Sequence, residues 1–392
     1  MPAQWGIFAP DVVPTFRRLQ TLGLSAVIRH YNDRSVPGLG GLWFGMPIAW
    51  SLLGIWLAEE IGAAPLPCAN AVEAAVMVRA LNNRAERARG RRILAGMNEP
   101  VFRMLSRRGA YVTQPYRMGT VEPLIRLGFV RGSGQRFNLY RLGPVGEEFL
   151  ISFRMEKRRL LSWAQEGDDL GRAPSLGPEK PLPSAAAMLL ERQLSEYGGG
   201  DEAARRRALL RLPEESFTPS PLLRSSPPGE LSPRHWADLR SGIALVRMRD
   251  AALGVLAMVE ARIGIGSHVS LSAAEAAEAA EAEIKGLAAA ANVMLAETDS
   301  SPGQLGHAFS RLCLASAKTV VTRLADRDGT VIRLLPNSRI VLGPAGGERP
   351  LRSDETEYAS SPTTVATAGV PELPRIANLR TLATDLQRSK EG

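Results

Sequence analysis

The sequence predicts a mainly α-helical protein with small β hairpins. Apolar residues recur at helical spacing in several separate stretches, and helix-start signals such as Ser232-Pro233 and Ser272-Ala-Ala-Glu275 precede two of them. Two turn sequences, Gly132-Ser-Gly134 and Pro336-Asn337, sit between short strand-like arms. A chain of 392 residues implies two or three domains. Its 45% hydrophobic content suffices for packed cores, while 28 Pro and 37 Gly imply long irregular connections.

The first stretch to assign is the uncharged run Ser35–Ala58, SVPGLGGLWFGMPIAWSLLGIWLA. Its length permits a membrane span, and Arg29 and Arg34 before it would leave the N-terminus in the cytoplasm. Five glycines and two prolines interrupt the run, and Trp43, Trp50 and Trp56 are spread through it rather than gathered at its ends. The reading adopted is a glycine-rich loop followed by one buried helix, from about Pro47 to Ile61. Gly62 stops that helix, and Trp50, Leu53, Leu57 and Ile61 share a face. The alternative is membrane association through residues 39–58. A second helix is expected over Ala69–Asn82, and residues 1–98 form an apolar, helical N-terminal region.

Residues 99–165 follow a different pattern. Val101 and Leu105 mark a helix ending near Gly109, and Tyr111–Met118 reads as a short polar turn or helix. Thr120 caps a helix holding Leu124, Ile125 and Leu127, with Pro123 tolerated in its first turn and Gly128 at its end. Phe129–Arg131 and Phe137–Leu142 are strands about the Gly132–Gly134 turn, and a helix resumes after Gly143-Pro144 over Val145–Phe153. Charge is concentrated in the same region. Between Arg79 and Leu160 there are 18 basic residues, 6 glutamates and no aspartate, a net of +12 against +8 for the whole chain. Phosphate binding depends on such local charge, so a polyanion is the expected partner.

The block LIRLGFVRGSGQRFNLYRL and the trailing GPVGEEFL resemble the winged helix-turn-helix superfamily over about residues 99–155. The resemblance implies an internal winged-helix domain, a helix presented to the major groove of double-stranded DNA, and a wing along the adjacent backbone. It would place Gln114, Tyr116, Arg117 and Thr120 at the front of that helix and Arg126 on its flank. Arg131, Arg136 and Arg141 would be wing contacts, and Arg107 and Arg108 would add backbone contacts. Winged helices also serve in protein–protein contacts, so an adaptor is the second reading.

Residues 166–231 are rich in Pro, Gly and Ser and read as a linker, with short helices at SAAAMLLERQLSEYGGG and DEAARRRALLRL. Residues 232–342 form a C-terminal helical domain. One helix starts at Ser232-Pro233 and runs until Gly264 and Gly266, and a long alanine-rich helix follows Ser272. A third runs from about Gln304 to Ala325, and Asp328-Gly329 then leads into a hairpin. Residues 343–392 are expected to be a disordered tail.

Chemistry is sparse. None of His30, His235, His268 and His307 lies within four positions of another His or a Cys, so no zinc signature exists. Gly264-Ile-Gly-Ser-His268 follows a helix and reads as a loop rather than a phosphate cradle. Cys68 and Cys313 make no disulfide framework, which with the absence of a signal pattern at the start suggests the cytoplasm. No cofactor, metal or catalytic set is expected. The sequence therefore points to a non-enzymatic DNA-binding component of a larger assembly, with residues 232–342 serving a protein partner or self-association.

Overall fold

The computed structural model describes residues 20–94, 96–97, 101–153, 157–166, 176–212, 227, 229–265, 269–347 and 373–391. The chain is mainly helical with two antiparallel two-stranded sheets. It divides into two compact units: residues 30–243 with the C-terminal helix Pro374–Glu391, and residues 20–29 with 244–347.

Helix α1 (Ser25–Ser35), of which residues 30–35 belong to the first unit, is followed there by a glycine-rich loop and α2 (Met46–Ile61). Every residue of α2 from Met46 to Ala58 is buried, so the helix is a core element apolar on all sides. Its bounds follow the sequence expectation within a residue: Pro47 sits in the first turn, and Gly62 closes the helix at φ +66°. Among the described residues no helix is long and apolar enough to cross a membrane. Next, α3 (Pro65–Asn82) starts four residues earlier than expected, because Pro65 is placed where a missing N–H costs nothing. α2 and α3 pack tightly at Gly54, where an added Cβ would lie 2.2 Å from Ala69 Cα.

The following elements are short: α4 (Arg91–Leu94), α5 (Phe102–Leu105), α6 (Arg117–Arg126), β1 (Val130–Arg131), β2 (Arg141–Leu142), α7 (Pro144–Ile151) and α8 (Lys157–Glu166). They pack against α2 and α3 within the same unit. The segment expected to be a linker contributes two core helices, α9 (Ser184–Glu196) and α10 (Gly200–Arg211). Leu189, Leu190, Leu194 and Leu209 are buried, so helical apolar spacing outweighs the flanking Pro and Gly. α11 (Pro233–Ile265) starts where Ser232-Pro233 predicted. The remaining Pro-rich parts of that segment, at 167–175 and 213–226, lie outside the described residues.

Four consecutive carbonyls at the end of α1 are each bound by a different buried basic side chain. Arg205 of α10 donates to Arg34 O at 2.7 Å, and His235 Nε2 of α11 meets Ser35 O at 2.8 Å. Arg375 of the C-terminal helix donates to Val36 O at 3.3 Å, and Arg206 donates to Pro37 O at 2.9 Å. A helix C-terminus leaves carbonyls without intrahelical partners and carries partial negative charge; the three arginines satisfy both needs, and His235, neutral above about pH 4, satisfies the first. Asp238 joins the cluster by accepting from Arg205 and Arg34 at 2.7 and 3.1 Å.

The C-terminal helix departs from the expected disordered tail. Leu373, Ile376, Leu379, Leu382 and Leu386 are buried. Asp385 accepts from Gly45 N at 3.0 Å and from Arg87 at 3.3 Å, and Arg375 pairs with Asp33 and Glu122. The Ser, Thr and Pro content that suggested disorder belongs mostly to residues 348–372, which are outside the described set.

The second unit contains α12 (Ala273–Ala279), α13 (Glu281–Ala296), α14 (Leu305–Cys313) and α15 (Ala317–Asp328). The Ser272–Glu275 capping box forms as expected. The alanine-rich helix is broken at Ala280, and the expected helix from Gln304 to Ala325 is broken between Cys313 and Ala317, where Ser316 caps a new helix. Asp328 Oδ2 accepts from Val331 and Ile332 N, leading into β3 (Ile332–Leu334) and β4 (Ile340–Leu342). Gly266–His268 lie outside the described residues.

Two outcomes follow from this packing. Gly54→Val should drive α2 and α3 apart and lower unfolding stability by about 3 kcal/mol or more, measurable by urea denaturation. His235 gives a pH dependence: burial, with Arg205 nearby, pushes its imidazole down to about 4, despite the bond to Ser35 O. The unfolded chain, with an ordinary histidine, takes up a proton that the folded chain refuses, so this contribution is complete above the ordinary histidine pKa and is lost as pH falls toward 4. The loss should be on the order of 3 kcal/mol, and a His235→Gln chain should show a flatter stability profile between pH 6.5 and 4.5.

Candidate nucleic-acid interface

Helix α6 is the element that the winged-helix resemblance assigns to the major groove. Its start is built by α3. The carboxylate of Glu73 accepts from Tyr116 N at 2.7 Å and Arg117 N at 2.9 Å, which caps the helix from outside its own sequence. Thr120, expected as the cap, lies inside the helix instead. Its hydroxyl donates to Arg117 O at 2.8 Å and shares a 2.7 Å hydrogen bond with Ser51 of α2, fully buried. Burial raises the Glu73 carboxyl above the ordinary range, opposed by the two N–H groups and by Arg89 and Arg117.

Three of the four side chains expected at the front of the helix, Tyr116, Arg117 and Thr120, are therefore turned inward, while Gln114 is exposed. Tyr116 is 5% exposed and packs among Trp43, Phe44 and Trp50, with its hydroxyl donating to Arg87 O at 3.0 Å and the Arg89 guanidinium over its ring. Arg117 is 8% exposed; its Nε donates to Asn70 at 2.7 Å and its guanidinium lies over Phe137. Burial lowers the Arg117 pKa, and Glu73 opposes this. Tyr116, Arg117 and Thr120 are fold-forming groups, in correction of the sequence expectation. Helix α6 packs against both α2 and α3.

Pro123 stands well inside α6 rather than in its first turn. Proline lacks the N–H that would bind the carbonyl four residues back. That carbonyl, Gly119 O, accepts instead from Gly41 N at 3.1 Å. The glycines permit this contact: a Cβ on Gly119 would lie 2.9 Å from Gly41 O. At the other end, Gly128 N reaches Ile125 O and Phe129 N reaches Leu124 O, with Gly128 at φ +76°. This is the Schellman closure that the sequence marks by Gly128.

The hairpin after α6 is shorter than predicted. β1 and β2 pair over two residues each, Val130 with Leu142 and Arg131 with Arg141, and Phe137–Leu139 forms a 3-10 turn rather than strand. Phe137 and Tyr140 anchor it; Tyr140 donates to Val121 O at 2.8 Å, and burial, with Glu122 nearby, pushes its hydroxyl up to about 12. Asn138 Oδ1 accepts from Leu66 N at the start of α3. Arg131, Arg136 and Arg141 are all exposed on this one hairpin. Arg131 and Arg141 are direct cross-strand partners, a like-charge arrangement that disfavours the pairing. Among the described residues no carboxylate neutralises any of the three within ion-pair distance.

The other predicted contacts separate into two groups. Arg126 is half-buried and ion-paired to Glu202 of α10, so it is spoken for. Arg107, Arg108 and Gln114 are exposed on the turn between α5 and α6. Arg103 and Arg158, which the family pattern did not single out, are exposed on α5 and α8, two helices joined by the edge-on contact of Phe102 with Trp163 at 5.0 Å. Among the described residues no group of three or more His, Cys, Asp and Glu is placed to hold a metal ion.

The cross-strand pair generates an expectation. Arg131→Glu should convert a repulsion into an attraction with Arg141 and raise hairpin stability by about 0.5 kcal/mol, while reducing affinity for a polyanion. Amide exchange at Gly143, whose N–H donates across the hairpin to Phe129 O, and heparin retention measured on the same protein check both halves. The chain matches no protein-family model, no curated protein and no solved structure.

Proposed function

We propose that this protein binds double-stranded DNA through phosphate contacts made by the hairpin, as a non-enzymatic component of a cytoplasmic assembly. The observation that carries the reading is the trio Arg131, Arg136 and Arg141, exposed and without acidic partners on a hairpin whose fold sets two of them side by side. Polyanion binding relieves such repulsion by neutralising it, and release of condensed counterions drives association. In this reading residues 99–165 act as a winged-helix-like module, and residues 232–342 supply self-association or a protein partner.

A second reading is favoured by the outer face of α6. Met118 is 50% exposed, and Val121 and Ile125 continue its face at helical spacing. An apolar stripe beside a basic hairpin suits a protein surface with an acidic margin. The test separates the two. Binding of the full chain to a labelled duplex should weaken steeply between about 50 and 300 mM salt, and changing Arg131, Arg136 and Arg141 together to Ala should reduce the log–log slope by roughly 2.7, at 0.9 per lost phosphate contact. A slope that the triple change leaves untouched would remove the hairpin from the interface, and no binding at low salt would favour the protein partner.

A further inference from the structure

We infer that the C-terminal helix and the hairpin are coupled: docking of that helix sets the charge beneath the hairpin and so governs how strongly the chain holds a polyanion. The inference rests on the nucleic-acid reading above and adds its control. The link is Glu122 of α6, the helix that leads into the hairpin. Arg375 of the C-terminal helix donates to one oxygen of Glu122 at 3.2 Å and to the other at 2.6 Å. The same guanidinium pairs with Asp33 at 2.5 Å and donates to Val36 O at 3.3 Å, and Arg375 N donates to Asn32 at 3.1 Å. Docking therefore sets one buried cation between two carboxylates and a helix end.

From Glu122 the path to the hairpin is short. The residue before it, Val121, accepts the Tyr140 hydroxyl at 2.8 Å, and that hydroxyl also reaches Gly134 O in the turn at 3.3 Å. Tyr140 is buried directly before the exposed Arg141. The Glu122 charge acts at this hydroxyl and, with burial, holds its proton on. The carboxylate thus lies within electrostatic reach of the hairpin that exposes Arg131, Arg136 and Arg141. Neutralised by Arg375, it takes little from their field. Without Arg375 it is a fixed negative charge behind them, opposing the phosphates that they attract.

The C-terminal helix is a separable element. It reaches the first unit only after the chain has passed through the second, and it packs there on α9 and α10. Its buried face combines four apolar side chains with Arg375, Asn378, Asp385 and Ser389, and among the described residues Asn378 Oδ1 has no hydrogen-bond partner. Buried charges and an unsatisfied amide oxygen offset part of what apolar burial contributes to docking. A polyanion, which prefers the docked charge pattern, stabilises the docked helix by linkage.

The experiment measures duplex affinity of four full chains, the parent, Arg375→Met, Glu122→Gln and the double variant, at about 50 and about 300 mM salt. At the lower salt Arg375→Met should bind about 3-fold more weakly than the parent, Glu122→Gln equally or up to about 2-fold more tightly, and the double variant within about 2-fold of the parent, with all differences narrowing at the higher salt. In the parent, saturating duplex should slow amide exchange in the C-terminal helix by about 3-fold, the reciprocal of the same coupling. Weakening by both single changes, with the double variant weaker still at either salt, would mark a merely structural ion pair and overturn the inference. Parent-like affinity of Arg375→Met, or helix exchange that duplex leaves unchanged, would overturn it as well. If Arg375→Met does not fold, Glu122→Gln decides the sign: weaker binding than the parent overturns the inference, and equal or tighter binding supports it. All these outcomes leave the DNA reading standing, whereas absence of parent binding to any duplex at low salt would overturn that reading and the inference with it.

Discussion

The end of α1 is the point on which the first unit depends. Four successive carbonyls, from Arg34 to Pro37, have lost any helical partner, and each is met by a basic group from elsewhere in the chain. Arg206, entirely buried, also donates to Leu194 O and Tyr197 O at the end of α9. Its burial pulls its pKa down to about 10, with Glu202 opposing and Arg126 adding to the fall. Removing one of these donors leaves a buried carbonyl without a partner, a more costly state than an apolar replacement of both groups. The loop that this cluster fixes then runs on to Gly41, whose N–H satisfies the carbonyl freed by Pro123. A helix end, a proline in another helix and the C-terminal helix are thereby parts of one arrangement.

Helix α6 illustrates how such an arrangement redefines a motif. Order and spacing along 117–150 give helix, hairpin and helix, and that order of elements is realised. What differs is the environment. Gly40 and Gly41 approach α6 from one side, and α2 and α3 cover others, with Glu73 capping its start. The same residues that would be read as groove-facing become the contacts by which the helix is held. The exposed charge is displaced onto the hairpin and onto α5 and α8.

Local signals were the legible part of the fold. Gly62 and Gly128 end helices because left-handed backbone is cheap only there, and Ser272 with Glu275 caps a helix within four residues. These are properties of neighbours in sequence. Arg375 with Val36, Glu73 with Tyr116 and Asp385 with Gly45 join residues 43 to 340 positions apart, and no local pattern encodes them. Of the candidate site, the concentration of arginine was visible, and so were the hairpin residues that expose it. Burial of Tyr116, Arg117 and Thr120 was not, because polarity marks a residue that needs hydrogen bonds without saying whether solvent, base or Glu73 supplies them. The breaks at Ala280 and after Cys313 were missed for a related reason: alanine-rich and amphipathic runs carry no strong stop.

The C-terminal helix has a consequence for how the protein is made. It supplies Arg375, Asp385 and four buried apolar side chains to a unit whose other residues, 30–243, leave the ribosome long before it does. During that interval the nascent chain lacks a donor for Val36 O and a cover for the surface that Leu379, Leu382 and Leu386 later close. Domains that assemble from distant segments cannot complete folding in the order of synthesis. The first unit is therefore completed only when this distant segment has been made, and it stays open to chaperones or to premature partners until then.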